Sequence, residues 1–135
     1  MQFELVSPER RLASTEAKAV RIPGADGDLT AMADHAPVIT SLRPGILTVE
    51  TSGGEESYAV TGGFAEITPE GTTVLAERAL HVSDVTQEVF DDWVTEAHAA
   101  HRDAPDGAVD AAAKLLADMV AMGGHIGLDP KQSNL

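Results

Sequence analysis

The sequence of 135 residues contains no cysteine, only nine basic side chains and no long hydrophobic run. Without cysteine the chain has no disulfide framework, no thiolate chemistry and no cysteine-ligated metal, which fits a reducing compartment. No apolar stretch reaches the roughly 18 residues that a membrane span requires, and charged side chains within residues 1–20 argue against a secretory signal peptide. We therefore expect a soluble protein that is made and kept in the cytoplasm.

Basic residues are too few and wrongly placed for binding phosphate. The three lysines, Lys18, Lys114 and Lys131, do not follow a glycine, as the lysine of a phosphate-binding loop would. The 22 acidic side chains give a formal net charge of −13. This charge disfavours nucleic acid and anionic lipid as ligands and favours a basic protein partner, although solubility alone would also account for it.

Up to about residue 82, apolar and polar side chains alternate over short segments. The apolar members are Phe3 and Leu5, Val20 and Ile22, Leu47 and Val49, and Tyr58 and Val60. A period of two with one apolar face predicts half-buried strands. Turn signals separate these segments at Pro23-Gly24, Asp26-Gly27, Pro44-Gly45, Gly53-Gly54, Gly62-Gly63 and Pro69-Glu70-Gly71. The pattern predicts an antiparallel β-sandwich or flattened barrel over residues 1–83.

From Ser83 onward the apolar period becomes helical. Ser83, Asp84 and Thr86 are candidate caps for a first helix that should end near Arg102. The segment 103–107 contains Pro and Gly and should reverse the chain, and a second helix should stop at Gly123-Gly124. The sequence thus predicts an α+β fold in which an antiparallel α-helical hairpin over 84–123 follows the sandwich. Residues 124–135 are expected to form a mobile tail.

The histidines give weak evidence for chemistry. His98 and His101 could share a helix face, but a structural zinc site needs four ligands and usually cysteine. His81 fits a linker or interface residue. His35 precedes Ala36-Pro37, so its backbone is held in a loop, and neither serine nor threonine stands in a recognised nucleophile context nearby. A structural or interface role is the better interpretation of His35.

Two blocks of sequence carry a family resemblance. The first runs from Asp26 to Gly45 and joins an acidic turn at Gly27 to a His-Ala-Pro corner and to Pro44-Gly45. The second runs from Val60 to Glu77 and contains Gly62, Gly63 and Phe64 followed by Ala-Glu, then Thr-Val-Leu-Ala. In order and spacing these blocks resemble the signature of the epsilon subunit of F-type ATP synthases, called delta in mitochondria. The resemblance covers about residues 1–122.

This resemblance implies a non-catalytic rotor subunit of the proton-translocating ATP synthase, bound to the gamma subunit and to the ring of c subunits. Such a subunit couples rotation of the ring through gamma to ATP synthesis and has no catalytic residue, cofactor or metal of its own. It would lie on the cytoplasmic face of the bacterial inner membrane as a peripheral protein, without lipid insertion. The residues matching the family's ring contact are Asp28, His35, Ala36 and Pro37. The alternative interpretation is that Asp28 only satisfies the turn.

The helical hairpin departs from relatives that bind ATP through an aliphatic-Asp-x-x-Arg-Ala motif. Counting from Asp91 places Val94 at the arginine position, and counting from Asp92 places Thr95 there, so a cation for the triphosphate is missing. We therefore expect no ATP binding. The resemblance implies a possible contact of the hairpin with the alpha and beta catalytic subunits, where inhibitory relatives insert a basic helix toward an acidic lever on beta. Between Asp84 and Met122 this chain has nine acidic and two basic side chains, which disfavours that docking. The hairpin is therefore predicted to inhibit ATP hydrolysis only weakly, and another protein is expected to supply the main inhibition.

Two other functions remain open from the residues alone. The chain could be a free-standing β-sandwich interaction module whose hairpin folds onto an unrelated partner. It could also be a small metal-assisted hydrolase built around His98 and His101. Neither accounts for the order of the acidic turn, the His-Ala-Pro corner and the strand that contains Phe64.

Overall fold

The computed structural model describes residues 1–130 and divides the chain into two compact units, Met1–Val82 and a second that begins at Ser83. The strands are β1 (Gln2–Val6), β2 (Arg11–Glu16), β3 (Ala19–Gly24), β4 (Gly27–Met32), β5 (Val38–Leu42), β6 (Gly45–Thr51), β7 (Gly54–Val60), β8 (Gly63–Ile67), β9 (Gly71–Ala76) and β10 (Ala79–His81). The helices are α1 (Gln87–Arg102) and α2 (Val109–His125), with single 3-10 turns at Val82–Asp84 and Asp106–Ala108.

The strands of the first unit form one ten-stranded sheet with two parts, called here the first and second sheets, which are joined at one corner. The first sheet has the order β10-β7-β6-β3-β4 and the second β5-β8-β9-β1-β2, and Gly24 of β3 pairs with Leu42 of β5 where they join. All neighbouring strands are antiparallel except β1 and β9, which run parallel with Gln2 opposite Gly71. The predicted β-sandwich followed by two helices is confirmed. The parallel pairing of β1 with β9 was not predicted, since the sequence indicated antiparallel strands throughout.

The core of the sandwich consists of the inward-facing residues of both sheets. Phe3, Ile22 and Leu47 are fully buried, as the alternating pattern predicted. The prediction for β7 is wrong in part, because Ala59 and Thr61 are buried on the face expected to be open while Tyr58 is only half-buried. The end of this strand is covered on both faces, so its side chains do not alternate between core and solvent.

The first helix begins and ends as predicted, whereas the second continues beyond its expected end. Thr86 caps α1, and its hydroxyl oxygen accepts a hydrogen bond from the Val89 amide at 3.1 Å. The predicted stop at Gly123-Gly124 is wrong, because α2 continues to His125. The reversal occurs at Gly127, whose φ of +80° suits glycine, and the Leu128 amide donates to the Gly123 carbonyl at 2.8 Å. Of the predicted mobile tail, residues 131–135 lie outside the described part of the chain.

Gly123 lies inside α2 at a position where the Phe90 ring of α1 leaves no room for a side chain. A β-carbon at this position would lie 2.1 Å from the Cζ atom of Phe90, whose ring is fully buried. Gln87, the first residue of α1, connects the start of this helix to the segment after α2. Its side-chain amide donates to Asp91 at 2.9 Å and to the carbonyl of Asp129 at 2.7 Å. The close contact between Phe90 of α1 and α2 depends on the absence of a side chain at Gly123.

Candidate functional site

Asp28 lies at the start of β4, immediately after the acidic turn. Its side chain is 76% exposed, and one carboxylate oxygen accepts a charge-assisted hydrogen bond from the guanidinium of Arg43. Arg43 follows β5 in sequence and also donates to the carbonyl of Gly24 at 2.5 Å. The carboxylate that sequence reasoning assigned to a partner protein therefore already has a partner within the chain. Arg43 lies 15 positions away, so local sequence gave no signal for the pair.

The His-Ala-Pro corner follows the other end of β4. Asp34 has a φ of +64°, and its amide donates to the carbonyl of Pro69 at 3.1 Å. The half-buried His35 ring has its Nδ1 atom 2.6 Å from the carbonyl oxygen of Ala36. Because a carbonyl can only accept, Nδ1 carries the proton and Nε2 is the nitrogen left to face a partner. Ala36 and Pro37 are exposed.

The structure does not unite the four predicted contact residues in one cluster. Asp28 is the second residue of β4, whereas His35 comes three residues after the strand ends at Met32. At a rise of about 3.4 Å per residue, the strand separates Asp28 from Met32 by about 14 Å. Within residues 1–130, Asp28 and His35 share neither a hydrogen bond nor an ion pair. Asp28 therefore lies near the start of the edge strand β4, and His35 lies beyond its end.

The glycine motif places a close backbone contact beside an exposed aromatic side chain. Gly63 has a φ of +119°, and a β-carbon there would lie 2.0 Å from the Leu75 carbonyl oxygen. The backbone of β9 therefore comes too close to Gly63 for a side chain at this position. The next residue, Phe64, faces outward and is 57% exposed. Gly27 begins β4, while Gly45 begins β6 after Pro44.

Phe64 belongs to an apolar row on the outer face of the second sheet. Phe64 pairs with Leu75, which is 54% exposed, and Leu75 pairs with Val6 on the neighbouring strand. Paired side chains point to the same face, so the three residues form a continuous surface that we call the apolar row. Beside them, Pro8 helps to line an open groove of about 370 Å³. Of these residues, sequence reasoning singled out only Phe64, because strand pairing is needed to see which residues adjoin it.

In the hairpin, the four positions of the degenerate nucleotide motif differ in their exposure. Asp91 and Val94 are buried, and Asp92 and Thr95 are exposed. Asp91 accepts a hydrogen bond from Gln87. Arg102 is close to the end of α1, where hydrogen bonding to Asp103 and the charge of that carboxylate raise the pKa of the guanidinium. Val94 and Thr95 occupy the two candidate arginine positions, so the motif itself supplies no cation for a triphosphate.

Two further findings bear on possible sites. In the part of the chain that the structure describes, no group of three or more His, Cys, Asp or Glu side chains is placed to hold a metal ion. Over the same residues, no helix combines the length and the apolar character needed to cross a membrane.

Comparison with known proteins first defines the class of the sandwich. Residues 1–82 match the family model described as the β-sandwich domain of the ATP synthase delta/epsilon chain. The chain is 59% identical over 128 residues to the ATP synthase epsilon chain of Rhodobacter capsulatus, in an alignment that covers 95% of this chain and 97% of that protein. It is 55% identical over 141 aligned positions to the epsilon chain of Paracoccus denitrificans, covering 99% and 95%. The chain therefore belongs to the ATP synthase epsilon chain family, which confirms the resemblance found in the two sequence blocks.

Solved structures share the fold at low sequence identity. A chain from the Euglena gracilis mitochondrial ATP synthase, described as OSCP/F1/c-ring in rotational state 1, gives a TM-score of 0.65 at 22% identity and covers 86% of this chain and 74% of that one. A chain from the Tetrahymena thermophila mitochondrial ATP synthase central stalk/c-ring gives 0.60 at 15% identity, with coverages of 90% and 92%. At these identities the similarity supports the fold alone.

Proposed function

We propose that this chain is the central-stalk epsilon subunit of a proton-translocating F-type ATP synthase. In this role it binds the gamma subunit and the c-subunit ring and couples rotation of the ring through gamma to ATP synthesis. It contributes no catalytic residue, cofactor or metal, and it lies on the cytoplasmic face of the bacterial inner membrane as a peripheral subunit. Membership of the epsilon chain family supports this proposal, and the net charge of −13 is consistent with a protein partner rather than lipid or nucleic acid.

The apolar row is the observation that carries the proposal, and we assign it to gamma. Phe64 and Leu75 expose more than half of their side chains in adjacent positions of two paired strands. A contiguous apolar surface of this kind on a soluble domain is typical of a protein interface. The groove beside Pro8 gives the surface a concave part into which a partner side chain can insert.

The contact with the c ring is assigned to the two ends of β4. Asp28 offers a mainly exposed carboxylate to basic loops of the ring, and His35 offers Nε2, since its other nitrogen is bonded to Ala36. The exposed Ala36 and Pro37 complete the second contact. The alternative is that Asp28 serves only the internal pair with Arg43.

A matched pair of substitutions tests the assignment of gamma. Phe64→Asp should weaken binding to ATP synthase depleted of this subunit by about 30-fold, as expected for loss of an aromatic hot spot of roughly 2 kcal/mol. Leu115→Asp is the control, because Leu115 is also an exposed apolar side chain but lies on α2. Binding would be measured by titrating purified chain into depleted membranes. Equal binding of wild type and Phe64→Asp would contradict the assignment, and no binding by the wild type would favour a free-standing interaction module.

We also propose that the hairpin inhibits ATP hydrolysis only weakly and does not bind ATP. Its segment from Asp84 to Met122 has nine acidic and two basic side chains, a net charge of −7. Like charges oppose docking on an acidic region of the alpha and beta catalytic subunits. Removal of residues 86–135 should therefore change the hydrolysis rate of the purified complex little. A large rise in hydrolysis would show that the hairpin is a strong inhibitor.

A further inference from the structure

We infer that Arg43 is the positioning residue that fixes the acidic turn and the Asp28 carboxylate for contact with the ring. The inference rests on the ring contact proposed above, but the bonds of Arg43 are features of the isolated chain. Its guanidinium donates through Nη1 to the Gly24 carbonyl and through Nη2 to Asp28. One side chain thus holds the last residue of β3 and the second residue of β4, on both sides of the turn.

The backbone around Arg43 anchors it to the same corner. The Arg43 amide donates to the Pro23 carbonyl at 3.0 Å, and the Ala25 amide donates to the Ser41 carbonyl at 2.8 Å. A β-carbon on Gly45 would lie 2.6 Å from the Cβ atom of Pro23, so the segment after Arg43 packs directly against β3. Because the backbone of Arg43 is fixed, its side chain can restrain the turn rather than follow it.

Apart from the Ala25 hydrogen bond and the pairing of Gly27 with Gly24, the turn has little support, so the restraint by the Arg43 side chain is important. Asp26, Gly27 and Asp28 are all exposed, and within residues 1–130 β4 is an edge strand that pairs with β3 alone. The Arg43 side chain is 26% exposed and the Asp28 side chain is 76% exposed, so only the guanidinium end of the ion pair is shielded from solvent. The planar guanidinium can also donate to two acceptors at once in a fixed geometry, which a single ammonium group does less well.

The first test measures the turn in the isolated full-length chain. Arg43→Met should lower the backbone order parameters of residues 25–28 from about 0.85 to below about 0.6 in 15N relaxation measurements. Arg21→Met is the matched control, because Arg21 lies on β3 and also forms an ion pair at 3.0 Å, but with Glu55 of β7 and not with the turn. An unchanged order of residues 25–28 in Arg43→Met would overturn the inference whether or not the ring contact exists.

The second test is a double-mutant cycle for binding to depleted ATP synthase membranes. Arg43→Met and Asp28→Asn should each weaken binding by about threefold, and the double variant should bind no worse than either single variant. Additive losses would overturn the inference, since Arg43 would then act on the partner independently of Asp28. Wild-type binding by Asp28→Asn would refute the proposed ring contact of Asp28, while the relaxation data would still report whether Arg43 restrains the turn.

Discussion

Replacing Gly123 by alanine should destabilise the helical hairpin, although alanine is the better helix former. The new β-carbon would meet three atoms of the Phe90 ring, at 2.1, 2.4 and 2.8 Å. Rotation of the ring about its own axis cannot relieve the shortest contact, because Cζ lies on that axis. Withdrawal to an ordinary contact of 3.4 Å would require a shift of about 1.3 Å in a fully buried side chain.

The expected free energy is a balance of two terms. Overpacking a buried site costs about 1–3 kcal/mol, whereas the change from glycine to alanine within a helix contributes about 0.5–1 kcal/mol of stability. Gly123→Ala should therefore lower the free energy of unfolding by about 1 kcal/mol, and by about 2.5 kcal/mol at most. Gly124 is the natural control, because it lies in the same helix and a β-carbon there would meet no described atom within 4 Å beyond its neighbours in the helix. Gly124→Ala should raise the free energy of unfolding by about 0.5–1 kcal/mol.

Urea unfolding followed by far-UV circular dichroism, with amide exchange of α2 as a local measure, would determine both values. In a Phe90→Ala background, Gly123→Ala should become stabilising, because the ring that it would strike is gone. If Gly123→Ala stabilises the hairpin as much as Gly124→Ala does in the otherwise native chain, the argument from the Phe90 contact is wrong.

Two further predictions concern the cap of α1 and a buried phenol. Thr86→Ala should cost about 1 kcal/mol by leaving the Val89 amide without its hydroxyl acceptor, and Thr86→Ser should restore most of that stability in urea unfolding. Burial, and then the charge of Glu56, raise the pKa of Tyr58 above 10.0. Its contribution to stability is thus complete below the unfolded pKa and is lost as pH rises through the folded value. Tyr58→Phe should flatten the alkaline fall in unfolding free energy, and parallel curves for the two proteins would exclude this effect.

The parts of the fold that sequence predicted best are those with regular local patterns. Phe3 and Leu5 alternate with polar neighbours and are buried, and Thr86 caps a helix whose end at Arg102 was also predicted. By contrast, β2 was missed because its side chains are half-buried or exposed throughout and show no alternation. Local periodicity reports burial on one face, so a strand without a buried face leaves little signal.

Features that depend on distant residues were not predictable. The glycine pair at the end of α2 has the local signature of a stop, yet the Phe90 ring on the other helix is what requires Gly123. Likewise, the ion pair of Asp28 with Arg43 and the alignment of Phe64 with Leu75 depend on the tertiary fold and on strand pairing. The motifs identified the family and the corner residues, but the partners of those residues required three-dimensional structure.

The parallel pairing of β1 with β9 has a consequence for folding during synthesis. The first strand of the chain pairs with residues 71–75, so its place in the sheet does not exist until most of the sandwich has left the ribosome. Until then the apolar side chains of Phe3 and Leu5 have no complete core to enter. We expect stalled nascent chains to gain resistance to protease only once Ala76 has emerged, and earlier resistance would show that the amino-terminal hairpin folds independently.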